Sequence, residues 1–398
     1  MPGIETFQPL FPEERVIAPL LEIAADLVSE CHRLHSRAGE PVARAVTPWL
    51  RAMNSYYTNK IEGQHTRPAD IERALRKDFD ADAVLACKQR IALGHMDAEK
   101  ALESQTAEPG SQPFSARLVR EIHAALYGRL PEADRISDHG GKRLPGMLRE
   151  TEVTVGRHLA PPSQDVPGLL AAWHDRYAKL AGVEQRLVGI ACAHHRLAWV
   201  HPFVDGNGRV ARLQSHLALH AMGLTNGLWS PMRGLARTQE QYYVRLAEAD
   251  LPRRNDYDGR GPLSQEALVA FAKYFLDVCL DQVRFMGEQL ALGSLKSRIE
   301  ALVSHLQRNP WQVGSEKSVI KLDVLEPLHY VAITGPLERA KFIHMTGVGD
   351  RTGQRILTTL LDYGVLSAPT SRAPVSFAVP FKSLGFLFPN LWPEAQEK

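Results

Sequence analysis

Residues 201–212 read HPFVDGNGRVAR. Pro202 disfavours helix at the residue before it, so the apolar run EQRLVGIACAHHRLAWV (184–200) ends as a helix near His201. PFVDGN is then a loop, and a new helix begins near Gly208. The backbone N–H groups of Gly206, Asn207 and Gly208 point outward at that start, where unpaired donors and the helix dipole both favour an anion. Arg209 and Arg212 add two cations within the first turn and a half, and guanidinium forks suit phosphate oxygens. Asp205 is placed to hold a hydrated Mg²⁺ shared with phosphates, and Asn207 to donate to a phosphoryl oxygen. His201 is suited to accept a proton near neutral pH. Phe203, apolar in a polar loop, anchors it to the core. Gly-Asn-Gly alone is a common turn, but twelve contiguous residues with every element in place point to phosphoryl or nucleotidyl transfer.

Helical periodicity extends in both directions from this stretch. Upstream it covers IAPLLEIAADLVSECHRLHSR (17–37), PVARAVTPWLRAMNSYYTNKIEG (41–63), ADIERALRKDF (69–79), AVLACKQRIALGHMDAEKALESQ (83–105) and SARLVREIHAALYGRL (115–130), the last with Ser115 as N-cap. The Gly- and Pro-rich segment 140–168 interrupts it, and the alternation TEVTVG (151–156) makes Leu148 to Val155 one arm of a hairpin. Helices resume at 169–180, and downstream at 213–223, 238–250 and 264–292, with Gly223 closing the first of these three. The charged run KSRIEALVSHLQRN (296–309) leads into PWQVGSEKSV (310–319), which reads as a linker. Three short helical runs then precede SAPTSRAPVSFAVP (367–380), strand-like at both ends, which is the order of a winged helix. The expected fold is mainly α, a helical core with a β-hairpin flap plus a small C-terminal winged-helix domain. The expected organisation is an N-terminal helical region over 1–110, a catalytic core over 111–295, a linker over 296–320 and the winged helix over 321–398.

Composition narrows the class further. The chain has 398 residues, 44% of them hydrophobic, which is enough for a sizeable core. Forty-seven basic against 45 acidic residues give a net charge of +2, so nothing global marks a nucleic-acid or membrane binder. Cys31, Cys87, Cys192 and Cys279 lie far apart without a CxxC pair, as in core thiols of a reducing compartment. The N-terminus lacks the basic and apolar regions of a signal peptide, and the most apolar stretch (267–283) carries Lys273 and Asp277. A cytoplasmic protein without a membrane partner is expected.

The pattern HPF-x-D-G-N-G-R-x-x-R resembles the signature of the Fic family, whose members mostly transfer AMP from ATP to a hydroxyl side chain of a target protein. Every defined position is present. The resemblance runs over roughly residues 40 to 290: LRETEVTVGRHLAPPSQDVPGLLAAW (148–173) is similar to the family's flap and following helix, and EQYYVRLAEAD (240–250) to the segment that closes over the adenine. It implies His201 as general base, Asp205 as Mg²⁺ ligand, Gly206, Asn207 and Gly208 as the phosphate cradle, and Arg209 and Arg212 on the β- and γ-phosphates. It also implies Tyr242 and Tyr243 lining the nucleotide pocket, Val155, Gly156 and His158 touching the nucleotide, and the flap strand near Val153–Val155 holding the target by strand addition. ATP and Mg²⁺ are the implied cofactors. Gly208 argues against the branch in which lysine at that position makes the reaction a phosphorylation. The segment HHRLAWV lacks a phenylalanine that many relatives carry before the catalytic histidine, which leaves the catalytic positions intact. His194 and His195 are adjacent on a helix and point in different directions, so a supporting or surface role is expected of both rather than a zinc site.

TNKIEG (58–63) resembles the family's inhibitory motif. Thr58 and Glu62 are four apart and share a helix face, and Gly63 can end the helix. The implied role of Glu62 is to pair with Arg212 and occupy the place of the γ-phosphate, so the expected enzyme is an autoinhibited protein adenylyltransferase. Two alternatives stand beside it: removal of AMP from a modified protein, and a nucleotide-sensing regulator that binds DNA through Arg351, Gln354 and Arg355 of the winged helix. The expected partners are a target protein held by the flap, DNA at the C-terminal domain, and a second copy of the chain.

Overall fold

Two long amphipathic helices, α1 (Glu14–Arg37) and α2 (Glu40–Ile61), begin the chain in this computed structural model, which describes residues 4–108, 110–136, 142–156, 158–312 and 320–396. Ile17, Leu20, Ala24, Leu27, Cys31 and Leu34 form the buried stripe of α1 at three- and four-residue intervals. Gly63, at φ 73°, supplies the left-handed turn just beyond α2. Helix α3 (Pro68–Leu75) starts on a proline, whose missing N–H costs nothing at that position. Asp82 caps α4 (Ala83–Thr106) by accepting from the N–H groups of Val84 and Leu85, and Ser115 caps α5 (Ala116–Tyr127) by accepting from Leu118.

The flap is shorter than its alternation predicts. Strands β1 (Thr154–Val155) and β2 (His158–Leu159) pair antiparallel, with Thr154 opposite Leu159 and Val155 opposite His158. Leu148 to Val153 run in irregular backbone instead of a strand arm. Helices α6 (Val166–Tyr177), α7 (Val183–Val200), α8 (Asn207–Ala221), α9 (Met232–Arg237), α10 (Gln239–Ala249) and α11 (Gln265–Gln289) follow. Helix α7 is buried almost all round from Leu187 to Val200, as a central helix must be. It packs on α6 and α8, and α8 packs in turn on α4 and α5. These contacts aim the C-terminus of α7 and the N-terminus of α8 at one loop.

The remaining elements are α12 (Leu295–Arg308), α13 (Leu325–Thr334), α14 (Arg339–Met345), α15 (Asp350–Asp362), β3 (Leu366–Ser367), β4 (Ser376–Phe377) and α16 (Leu384–Leu387). The chain divides into two compact units, Met1–His32 with Arg51–Val283, and Arg33–Leu50 with Arg284–Lys398. This partition is not the linear one expected from sequence, because residues 33–50 belong with the C-terminal segment. The first half of the expected linker is also ordered: α12 buries Leu295, Ile299, Leu302, Val303 and Leu306, and residues 313–319 lie outside the described part. Charged residues on the other face of α12 hid this apolar stripe. Within the second unit the Trp49 indole donates to the Val379 carbonyl at 2.5 Å. Strands β3 and β4 pair antiparallel, and an isolated bridge joins Leu337 to Val375. Cys31, Cys87, Cys192 and Cys279 are all free thiols. No described helix is long and apolar enough to cross a membrane.

Candidate active site

His201 ends α7 in the left-handed conformation, φ 49° and ψ 60°, with its N–H 3.2 Å from the Leu197 carbonyl. A non-glycine residue holds such a conformation only when its surroundings over-determine it. Here the buried Arg149 does so. Its Nε donates to the His201 carbonyl at 2.8 Å and its backbone N–H to the Pro202 carbonyl at 2.9 Å, while its remaining nitrogens donate to the carbonyls of Thr151, Pro161 and Val200. The His201 Nδ1 lies 3.3 Å from the Ala198 carbonyl. A carbonyl only accepts, so Nδ1 carries the proton and Nε2 keeps its lone pair. Burial lowers the His201 pKa to about 4 against the opposing Ala198 contact, and the ring is neutral at physiological pH.

The loop beyond it is pinned at each turn. The Asn207 amide accepts from the Phe203 N–H at 2.9 Å and donates to the Phe203 carbonyl at 2.8 Å. Phe203 is fully buried, and the His123 ring of α5 stacks on it at 4.0 Å. Burial brings the His123 pKa down to about 4; its Nδ1 accepts from the Gly146 N–H, and its Nε2 donates to the Asp205 carbonyl at 3.2 Å. Two nitrogens of the buried Arg143, Nε and Nη2, reach the same Asp205 Oδ2 at 2.8 Å. Gly206 has φ 84°, and a Cβ there would collide with the Tyr127 hydroxyl, so both conformation and space require glycine.

The first intrahelical bond of α8 runs from Val210 to the Gly206 carbonyl at 3.0 Å, so the N–H groups of Asn207, Gly208 and Arg209 precede it at a positive helix end. The two arginines differ sharply there. Arg212 donates Nε to the Thr58 hydroxyl at 2.8 Å, and Nη2 to the Thr58 carbonyl at 3.2 Å and to the Glu62 carboxylate. Burial raises the Glu62 pKa, but Arg212 and then Arg209 outweigh it and hold the carboxyl ionised below its usual range. Glu62 also covers Gly208, where any Cβ would strike its Oε1. Arg209 is 3% exposed and lies over the Tyr127 ring, yet its Nε and Nη1 have no partner. Buried donors are rarely left unpaired, and a guanidinium with free donors beside a helix start is a receptor for an anion.

Residues 113–219, which include this loop and its supports, match the Fic/DOC family. The chain is 26% identical over 201 residues to the protein adenylyltransferase Fic of Nematostella vectensis, covering 49% of this chain and 42% of that protein. It is 31% identical over 144 residues to the Drosophila grimshawi protein of the same name, covering 35% and 28%. The chain therefore spans less than half the length of either relative. The fold is similar to a Fic family protein from Desulfovibrio desulfuricans, with a TM-score of 0.51 at 18% identity over 90% of this chain and 96% of that one. It is also similar to a Fic domain protein from Bacteroides thetaiotaomicron, with a TM-score of 0.52 at 16% identity over 68% and 97%.

The segment 201–212 gathers His201, Asp205, Gly206, Asn207, Gly208, Arg209 and Arg212, and α2 brings Glu62 onto it. Other expected positions take different roles. The Asn207 side chain staples its own loop, which leaves its backbone N–H as the group facing the cradle. Tyr242 is 2% exposed, and its hydroxyl meets His194 Nε2 at 2.8 Å, so it packs beneath the site. The Tyr243 hydroxyl donates to the Ile61 carbonyl at 2.7 Å and holds the end of α2. His158 Nε2 donates to the Trp199 carbonyl at 2.8 Å, two residues before His201. Val155 is 44% exposed, and Gly156 (φ 59°) has open space around it. His194 and His195 are both buried supports of the helical core. Arg143, Arg149, His123 and Tyr127 escaped the sequence reading. Their partners lie tens of residues away, and a lone arginine in a Gly- and Pro-rich stretch carries no local pattern.

Proposed function

We propose that this chain is a protein adenylyltransferase restrained by its own Glu62. The observation that carries the reading is the contrast within one motif: Arg212 is closed by Thr58 and Glu62, whereas Arg209 keeps unpartnered donors at the same helix start. That is the arrangement of a polyphosphate site with an internal carboxylate in the terminal phosphate's place.

In the proposed reaction the hydroxyl oxygen of the target attacks the α-phosphorus of ATP. The bond from that phosphorus to the bridging oxygen breaks, pyrophosphate leaves, and the hydroxyl proton passes to His201 Nε2. The tautomer and neutral state of His201 suit it to that role. The N–H groups at the start of α8 and the Arg209 guanidinium stabilise charge on the phosphates without reorganising. Asp205 fits as the protein ligand of Mg²⁺, an ion that takes one or two carboxylates and draws its other ligands from phosphate and water. Its side chain keeps 25% exposure, and Arg143 orients it. Bound Mg²⁺ would neutralise phosphate charge. The exposed Val155 and Leu159 of the flap suit a target segment added as a further strand.

For the C-terminal segment 321–398 we carry forward the winged-helix reading. Its support is the order α13, α14, α15, β3, β4, with the Leu337–Val375 bridge adding a third strand position. Arg351, Gln354 and Arg355 are exposed on α15, a face suited to duplex DNA. Free thiols suit a cytoplasmic location. The test of the main reading is incubation of the protein with ATP labelled in the α-phosphate and a cell lysate. Label should enter protein bands and vanish with His201→Ala; label that persists in that variant removes the reading. For the winged helix, no binding to any duplex at low salt would leave protein docking as its role.

A further inference from the structure

Between α4 and α8, one turn beyond Arg212, lies a cluster of ionisable side chains that the transfer chemistry does not use. His95, Glu99 and Glu103 stand at four-residue intervals on α4 and so share one face, and α8 contributes His216. Their exposures are 1%, 1%, 4% and 1%. His216 Nε2 lies 2.9 Å from Glu103 Oε1 and 3.9 Å from Glu99 Oε1, and His95 Nδ1 lies 3.7 Å from Glu99 Oε2. From α2, Arg51 donates to Glu103 Oε2 at 2.5 Å and Asn54 to Glu99 Oε1 at 2.9 Å. Both ring nitrogens of His95, Nδ1 of His216 and Oε2 of Glu99 have no hydrogen-bond partner. Four orphaned atoms in one buried cluster are far from the usual condition of a protein interior.

One donor atom each from Glu99, Glu103 and His216 lies within 4.8 Å of the other two. A tetrahedral ion with bonds of ~2.1 Å has ligand–ligand edges of about 3.4 Å, and the separations above bracket that value. The unpartnered His95 ring, aimed at Glu99, supplies a fourth donor. Arg51 pairs with the Glu103 carboxylate, and the Glu99 carboxylate faces both histidines. We propose that His95, Glu99, Glu103 and His216 bind a divalent transition metal of the zinc class. Imidazole and carboxylate together favour Zn²⁺, Fe²⁺ or Mn²⁺ over Mg²⁺, and inward Glu and His side chains on facing helices are a recurrent way to build such a site. The site joins α4 to α8 and, through Arg51 and Asn54, to α2, the helix that leads to Glu62.

The test uses the full-length protein stripped with a chelator and titrated with Co²⁺ in excess Mg²⁺ and without nucleotide. One equivalent of Co²⁺ should bind, with visible d–d absorption and a raised Tm. Glu99→Gln and His95→Ala should each weaken Co²⁺ binding by about tenfold or more, while Asp205→Asn leaves it unchanged. Circular dichroism checks that each variant is folded. Absence of Co²⁺ and Zn²⁺ binding by the wild-type chain overturns the proposal without any variant. Binding that is unchanged in both cluster variants, or lost in Asp205→Asn, also overturns it by placing the metal elsewhere.

Discussion

The loop from His201 to Asn207 and the flap hairpin are both short irregular segments, yet they are held in opposite ways. In the loop, Asn207 brackets Phe203, His123 stacks beneath it, and Arg149 grips the carbonyl of His201. In the flap, two residue pairs and one bond from the Ala160 N–H to the Val153 carbonyl are the ladder among the described residues, and Val155 and Leu159 are 44% and 71% exposed. The loop that carries His201 is fixed in advance, whereas the flap edge is left open. Preorganisation serves chemistry because misplacement by about 1 Å can cost ~10²-fold in rate. An incomplete sheet edge serves binding because main-chain hydrogen bonds accept many sequences.

Four substitutions and a pH profile sharpen that contrast. His201→Ala should reduce transfer by ~10²–10⁴-fold with ATP binding retained, since the base acts on the acceptor; single-turnover labelling beside nucleotide titration measures both. Arg149→Met should lower kcat by ~10²-fold and leave ATP affinity nearly unchanged, because Arg149 positions the base without touching phosphate. The pH profile should be flat across the neutral range. Activity should fail on the acid side as pH drops toward about 4, where His201 gains a proton and ceases to be a base. Asn207→Ala strips two hydrogen bonds from a buried turn and should cost about 1–3 kcal/mol of stability by thermal or denaturant unfolding. Leu159→Asp in the flap should have the smallest effect, a several-fold rise in KM for the protein acceptor with kcat for automodification preserved. If Leu159→Asp instead proved as damaging as Arg149→Met, the division between fixed chemistry and open recognition would fail.

Much of the loop between α7 and α8 was legible because its residues are contiguous. Proline at 202 stops α7, glycine at 206 turns the chain, and charges follow at helix spacing, all within local rules. The helical fold was legible for the same reason, since α1 and α5 each show their buried stripe in sequence. The braces were not. Arg149 and Arg143 reach carbonyls and a carboxylate through tertiary folding, which no window of sequence displays. Tyr242 and Tyr243 were placed in the pocket by resemblance, but one hydroxyl meets His194 and the other the end of α2. The linker expectation failed at α12 because charged residues at 296–309 masked an apolar stripe at helical spacing.

The central claim is that Glu62 occupies the place of a phosphate on Arg212, and Glu62→Gly tests it most directly. Removing the carboxylate frees Arg212 and uncovers Gly208 while leaving His201, Asp205 and Arg209 in place. Transfer of label from α-labelled ATP to the protein itself and to lysate targets is measured for wild type, Glu62→Gly, and Glu62→Gly combined with His201→Ala. The account predicts that Glu62→Gly labels well above wild type and that the double variant is silent. A Glu62→Gly protein that labels no better than wild type, or that instead loses the ability to strip AMP from a labelled protein, would contradict it.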